Sequence, residues 1–166
     1  MSSPKSPPHR RRSTLKPQTA TKTTPAPTHK QIASPQPPEP GAIIDYGYLW
    51  GREQADGQGS AKKTRPCYIY GVKRVEDLYM VSVMAIATSS TAARVPIHPH
   101  ERSALQLPDD CAVVIEEMNV FQWPGPDIIP QADGSLMRCS PASKKLTTAI
   151  GAAMTDRSPT IVYRSL

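Results

Sequence analysis

From Gly41 to Trp50 the chain alternates in twos, with Ile44, Tyr46, Tyr48 and Trp50 on one side and Asp45 on the other. A period of two carried by aromatic and β-branched residues predicts a strand and argues against a helix. Cys67 to Val72 (Cys-Tyr-Ile-Tyr-Gly-Val) has the same character. Between the two lie Arg52, Glu53, Gln54, Asp56, Lys62, Lys63 and Arg65, with Gly51, Gly57 and Gly59 giving the backbone freedom. A basic, glycine-containing loop between two buried strands is a place to grip a phosphate, and its other reading is an ordinary surface turn.

Charge and composition divide the chain near Pro40-Gly41. Residues 1–40 hold seven of the basic residues, one acid, ten of the nineteen prolines and no aromatic residue. Such a stretch buries too little apolar surface to offset its ordering entropy, so a disordered, basic, Pro-rich tail is expected over 1–40. Its His9-Arg10-Arg11-Arg12 cluster suits loose contact with nucleic-acid phosphates or simply a solvated tail. Residues 41–166 hold thirteen basic and thirteen acidic residues, so the net charge of +6 belongs to the tail. At 166 residues one domain is expected, over 41–166, since single domains most often run to roughly 100–150 residues. Cys67, Cys111 and Cys139 are odd in number and lack CxxC spacing, which points to neither a disulfide framework nor a zinc site and fits a reducing compartment. No run nears the roughly 18 apolar residues of a membrane span, and the basic N-terminus lacks the apolar core of a signal peptide. A cytoplasmic protein without metal or cofactor is the expectation.

Further along, Lys73 to Asp77 predicts a polar turn, and Leu78 to Ala87, the longest apolar run, a central strand that ends at Thr88-Ser89-Ser90-Thr91. A short strand is expected around Ala104–Leu107. Cys111 to Trp123 predicts one strand or a bent pair, stopped by Pro124-Gly125-Pro126-Asp127, and Ser135–Arg138 one more short strand. Ser140 offers an N-cap with Pro141 behind it, and Leu146, Ile150 and Met154 follow at helical spacing. Thr160 to Arg164 fits a closing strand. Five to seven short strands and one late helix predict a mainly β fold, a small half-open barrel with a C-terminal helix packed against it.

Three features together resemble the PemK/MazF-like toxins of bacterial toxin–antitoxin systems. They are the first strand and its Glu53-Gln54-Ala55 loop leading to Arg65-Pro66, the apolar strand ending in Ala87-Thr88-Ser89, and Phe121-Gln122-Trp123-Pro124-Gly125-Pro126-Asp127, which is similar to the F-x-W-P-G-P-D of a PemK-like subgroup. The resemblance spans roughly residues 41–155. It implies an SH3-like barrel, usually a homodimer, that cuts single-stranded RNA without metal and is inhibited by a cognate antitoxin in the RNA groove.

Attack of the RNA 2′-hydroxyl on the adjacent phosphate builds negative charge on the phosphoryl oxygens, which a guanidinium can bond twice while always charged. Arg65 matches the family's motif arginine and takes that role by resemblance. The family's strand-end threonine falls on Ala87 in an ungapped match, with Thr88 one position on; a slip of one residue reverses the face, so Thr88 serves only if a bulge restores it. Glu53 lies where some members carry a functional acid. Lys62 and Lys63 suit the RNA backbone, and Gln54, Asn119 and Trp123 are further RNA contacts, Trp123 by stacking a base or else as packing. His98 and His100 match no family motif, and Glu116 and Glu117, adjacent on a strand, face opposite ways and make no carboxylate pair. The rival reading is a catalytically silent barrel that binds protein or nucleic acid through the same groove.

Overall fold

The structure is a computed structural model that describes residues 36–164. The tail expected over 1–40 lies outside the described residues up to position 35.

Alternation becomes structure over the middle of the Gly41–Trp50 stretch, and the strand stops at Gly47, short of Trp50, which caps a helix. Strand β1 is Ile43–Gly47 and β2 is Thr64–Val75, paired antiparallel with Tyr46 opposite Arg65. The long apolar run is strand β3, Leu78–Ala87, antiparallel to β2 along its length except for a bulge between Ile69 and Gly71. Cys111–Trp123 is the bent pair: β5, Ala112–Val114, and β6, Glu117–Trp123, occupy successive stretches of the other edge of β3. A short β4, Arg94–Pro96, pairs with β5, and β7, Ile128–Ile129, pairs with β1. The closing β8, Thr160–Tyr163, runs parallel to β6, the single parallel pairing among the described residues, where the other pairs are antiparallel. The fold is mainly β, a small half-open barrel of eight strands.

The apolar run of β3 has no polar alternation because both faces of the central strands are buried. Ile43, Tyr68, Met84 and Ile86 face one core, closed by Leu146, Ile150 and Met154 of helix α3, Lys144–Met154. Ile44, Tyr46, Tyr48, Cys67, Ile69, Val83 and Ala85 face the other, inside the barrel, with Phe121, Trp123 and Ile128. Tyr46 stacks on Phe121 at 4.6 Å between centroids. Cys67 is the small buried residue its place in a strand predicts, and burial pushes its thiol far above the ordinary range.

Five expectations need correction. The helix starts later than Ser140-Pro141, because Ser143 is better placed as the cap: its Oγ accepts from Leu146 N–H at 3.1 Å, and Glu101 binds both its backbone N–H and its hydroxyl. Ala104–Leu107 is no strand. Pro99 opens a short helix, α2, Pro99–Ala104, and the chain leaves it through Gln106 with φ of 53°, which buries Leu105 and Leu107 without a ladder. Ser135–Arg138 is a bent segment instead of a strand, anchored by Arg138 N–H donating to the Ile43 carbonyl. The hairpin turn narrows to Glu76-Asp77, since β2 continues to Val75. A third helix, α1, Gly51–Ala55, occupies the start of the glycine-containing loop. Among the described residues no helix is long and apolar enough to cross a membrane.

The Trp-Pro-Gly-Pro-Asp element closes the barrel. Asp127 Oδ2 meets Arg164 Nη2 at 2.7 Å, and that arginine side chain is only 6% exposed. Gly125 lets the turn pass over the Phe121 ring, where a Cβ would lie 2.8 Å from Cδ2. Because Phe121 is itself wedged against Tyr46, Gly125→Ala is expected to destabilise the protein by about 1–3 kcal/mol, read as a lowered urea midpoint; an unchanged midpoint would show that the ring moves aside freely.

Candidate functional site

The chain leaves β1 at Tyr48-Leu49-Trp50, and three side chains from elsewhere fix that exit. Leu49 N–H donates to Asn119 Oδ1 at 3.0 Å, and Asn119 Nδ2 donates back to the Leu49 carbonyl at 2.8 Å. Trp50 N–H donates to Glu53 Oε2 at 3.2 Å, and Gly51 N–H to Glu117 Oε1 at 2.9 Å. The first amides of α1 thus find acceptors, as buried helix N-termini require. Trp50 packs edge-on against buried Tyr48, with centroids 4.9 Å apart.

Arg65, second residue of β2, lays its guanidinium over the Trp50 ring at 5.2 Å from the centroid. The half-buried charge is held by the ring's quadrupole. Among the described residues it forms no ion pair, and its Nε is buried without a partner. Two other arginines near the barrel wall differ. Arg138 is spent on Asp45 at 2.7 Å and on the Leu105 carbonyl, and Arg164 on Asp127 and the Gly59 carbonyl. Burial raises the pKa of the Tyr48 hydroxyl, Cys67 and Glu117 raise it further, and the Arg65 charge opposes them.

Trp50 also lines a crevice of about 170 Å³ together with Arg52, Ser89, Ser90, Thr91, Ala92 and Glu117. It continues into a shallower groove lined by Arg52, Thr88, Ser89, Ser90, Thr91 and Arg94. Crevice and groove therefore gather Trp50, Arg52, Arg94, Glu117 and the Thr88–Thr91 loop, while Arg65 touches Trp50 and lines neither. Arg52, Arg94 and Glu117 carry no motif signal; only the return of β6 beside α1 reveals Glu117.

The remaining predicted residues divide. Thr88 lies just beyond β3, exposed, its carbonyl accepting from Arg94 Nη1 at 3.4 Å. Ala87 is buried and pairs regularly with Ala112, so the strand ends without a bulge and the one bulge of this hairpin lies in β2. Glu53 caps its own helix, Gln54 is exposed and donates to the Tyr163 carbonyl, and Lys62 and Lys63 are exposed in the loop before β2. Asn119 and Trp123 do not line the groove. Asn119 is 0% exposed with its amide spent on Leu49, and Trp123 is 5% exposed, its Nε1 donating to the Gln36 carbonyl at 3.0 Å. His98 caps α2, and Glu116 is exposed while Glu117 is half-buried. Among the described residues no three His, Cys, Asp or Glu side chains gather as metal ligands.

Removing the Asn119 amide would strand two buried backbone groups of Leu49. Asn119→Ala is expected to cost about 2–4 kcal/mol, seen as a lower midpoint in thermal or chemical unfolding; a loss below about 0.5 kcal/mol would mean that water replaces the amide. Comparison with known protein families, with curated proteins and with solved structures finds no match to this chain.

Proposed function

We propose that the protein is a toxin-like endoribonuclease of the PemK/MazF kind, acting on single-stranded RNA in the groove around Trp50. The observation that carries this reading is Arg65. A half-buried guanidinium held on an aromatic face, and not by a carboxylate, keeps its N–H groups for an incoming anion. It heads β2 directly before Pro66, at the position the resemblance assigns to the family's motif arginine. Arg52 and Arg94 along the groove, with the exposed Lys62 and Lys63 before β2, add cations that suit successive phosphates of a flexible strand.

In this reading the RNA supplies its own nucleophile. The 2′-oxygen attacks the neighbouring phosphorus, the 5′-oxygen leaves, and Arg65 stabilises the charge that gathers on the non-bridging oxygens. No cofactor enters the scheme. A cytoplasmic homodimer inhibited by an antitoxin in the same groove completes the reading that the resemblance implies. One observation favours the rival, a silent binding module: the strand end is Ala87, and the Thr88 hydroxyl lies outside the sheet.

Cleavage of a long single-stranded RNA by purified protein in EDTA separates the two. The wild type is expected to give discrete fragments, Arg65→Ala to lose at least about 100-fold in rate, and Arg65→Lys to recover little, since an ammonium lacks the fork that bonds two oxygens. Intact RNA with the wild type, under conditions where the RNA still binds, moves the assignment to the binding module.

A further inference from the structure

The indole of Trp123 spends its N–H on a proline-rich segment. Nε1 donates to the Gln36 carbonyl at 3.0 Å, although 87 positions separate the two residues. Gln36 opens the run Gln-Pro-Pro-Glu-Pro, which a boundary at Gly41 would leave outside the folded unit. In the structure Pro38 is buried, while Gln36, Glu39 and Pro40 are exposed. The run forms no ladder. Ties to the sheet begin only behind it, where Gly41 N–H donates to the Ile69 carbonyl and Ile69 N–H to the Ala42 carbonyl.

Proline fixes φ and removes a donor, so such a run favours polyproline II, an extended helix of about three residues per turn without hydrogen bonds of its own. That period sets Gln36 with Glu39 and Pro37 with Pro40. Those four residues line one cleft of about 350 Å³, beside Met137 and Pro141, and Pro38 is the residue turned inward. Trp123 stands opposite Tyr79 in the β3–β6 ladder, and both pack on the barrel core. Aromatic residues offering an N–H to a bare carbonyl near a buried proline are the means by which proteins hold polyproline II segments.

We propose that the Trp123 end of the barrel is a binding site for an extended proline-rich segment, and that the chain's own Gln36–Pro40 is its resident occupant. The pattern it reads is a carbonyl that accepts from the indole, followed two residues later by the proline that is buried. Gly41, with φ of 95°, is the joint at which the occupant leaves the sheet. A segment of the same pattern from another chain therefore fits the site once the resident one is loosened. The inference stands apart from RNA cleavage.

The test follows the indole proton of Trp123 in the isotope-labelled full chain, where Trp123→Phe tells its signal from that of Trp50. Its exchange with solvent is measured in wild type and Pro38→Ala, each titrated with a blocked peptide of the Ser34–Pro40 sequence and with the same peptide carrying Pro38→Ala. Pro38→Ala in the protein is expected to speed exchange by about tenfold or more while the amide signals of β1 to β3 keep their places. The unaltered peptide then slows exchange again at roughly millimolar concentration, the order at which a tethered segment competes, and wild type, its site filled, responds little. The altered peptide has no effect. Unchanged exchange in Pro38→Ala overturns the proposal. Faster exchange that the peptide fails to slow overturns it too, and marks a strap that packs only within its own chain. Should Pro38→Ala unfold the barrel, Pro40→Gly keeps the buried ring and loosens the joint; peptide-reversible exchange is expected there as well, and its absence has the same force.

Discussion

The exit of β1 depends on one buried amide. Asn119 reaches across 70 residues of sequence to bind the Leu49 N–H and carbonyl together, and nothing else described satisfies either group. In a low-dielectric interior two such bonds are worth keeping, because the alternative is two bare backbone dipoles. Their consequence is positional. With Leu49 fixed, Trp50 stands where β1 has left the sheet, its ring edge-on to Tyr48 and in reach of Arg65 on the neighbouring strand. The ring then holds the guanidinium without neutralising it. A carboxylate would hold it more tightly and use up donors that stay free over the ring. The placing of Trp50 and Arg65 is therefore set by core polar chemistry next to Leu49.

The same arrangement explains why both acids near the site act first on backbone amides. Glu53 and Glu117 take the N–H groups of Trp50 and Gly51, consecutive donors at a helix start. A carboxylate at that end is favoured by the exposed amides and by the helix dipole. Glu53 does this from inside its own helix and faces back onto it. Glu117 does it from β6, and the direction of approach carries it along the crevice wall. Two residues of one type, with the same first partner, differ in what else they can touch because they arrive from different elements.

The sequence made the strands legible wherever alternation or an unbroken apolar run was long enough: β1, β2, β3, the bent β5–β6 pair and β8 fall where the pattern puts them. It hid what depends on few residues. Strands β4 and β7 span three and two residues, too short for a period, and exist because β5 and β1 offer free edges. Leu105 and Leu107 alternate like a strand but are buried from an irregular segment behind a proline-started helix. Ser140 and Ser143 both suit a cap, and Glu101, distant in sequence, decides between them. Of the site, Arg65 and its loop were legible because Arg-Pro before an apolar strand is a local signal. Glu117 was not, because its place beside Gly51 is set by where β6 returns.

Residues conspicuous in sequence and residues able to meet a ligand are largely different sets here. Trp123, Asn119 and Asp127 sit in or beside the most recognisable stretch of the chain, and all three serve the interior: Trp123 packs in the barrel, Asn119 holds Leu49, and Asp127 neutralises an arginine that would otherwise be buried with its charge unpaired. Rigid motifs of this kind are strong family signals because packing tolerates few substitutes, so they speak for architecture. The groove is lined instead by Arg52, Ser89, Ser90 and Arg94, none of which belongs to a recognisable motif. What links the sets is the β6 strand itself, which carries Phe121 and Trp123 into the core at one end and Glu117 to the crevice at the other. A change that shifted β6 by a single residue would turn every one of those side chains to the opposite face, and would remove the carboxylate and the barrel core together.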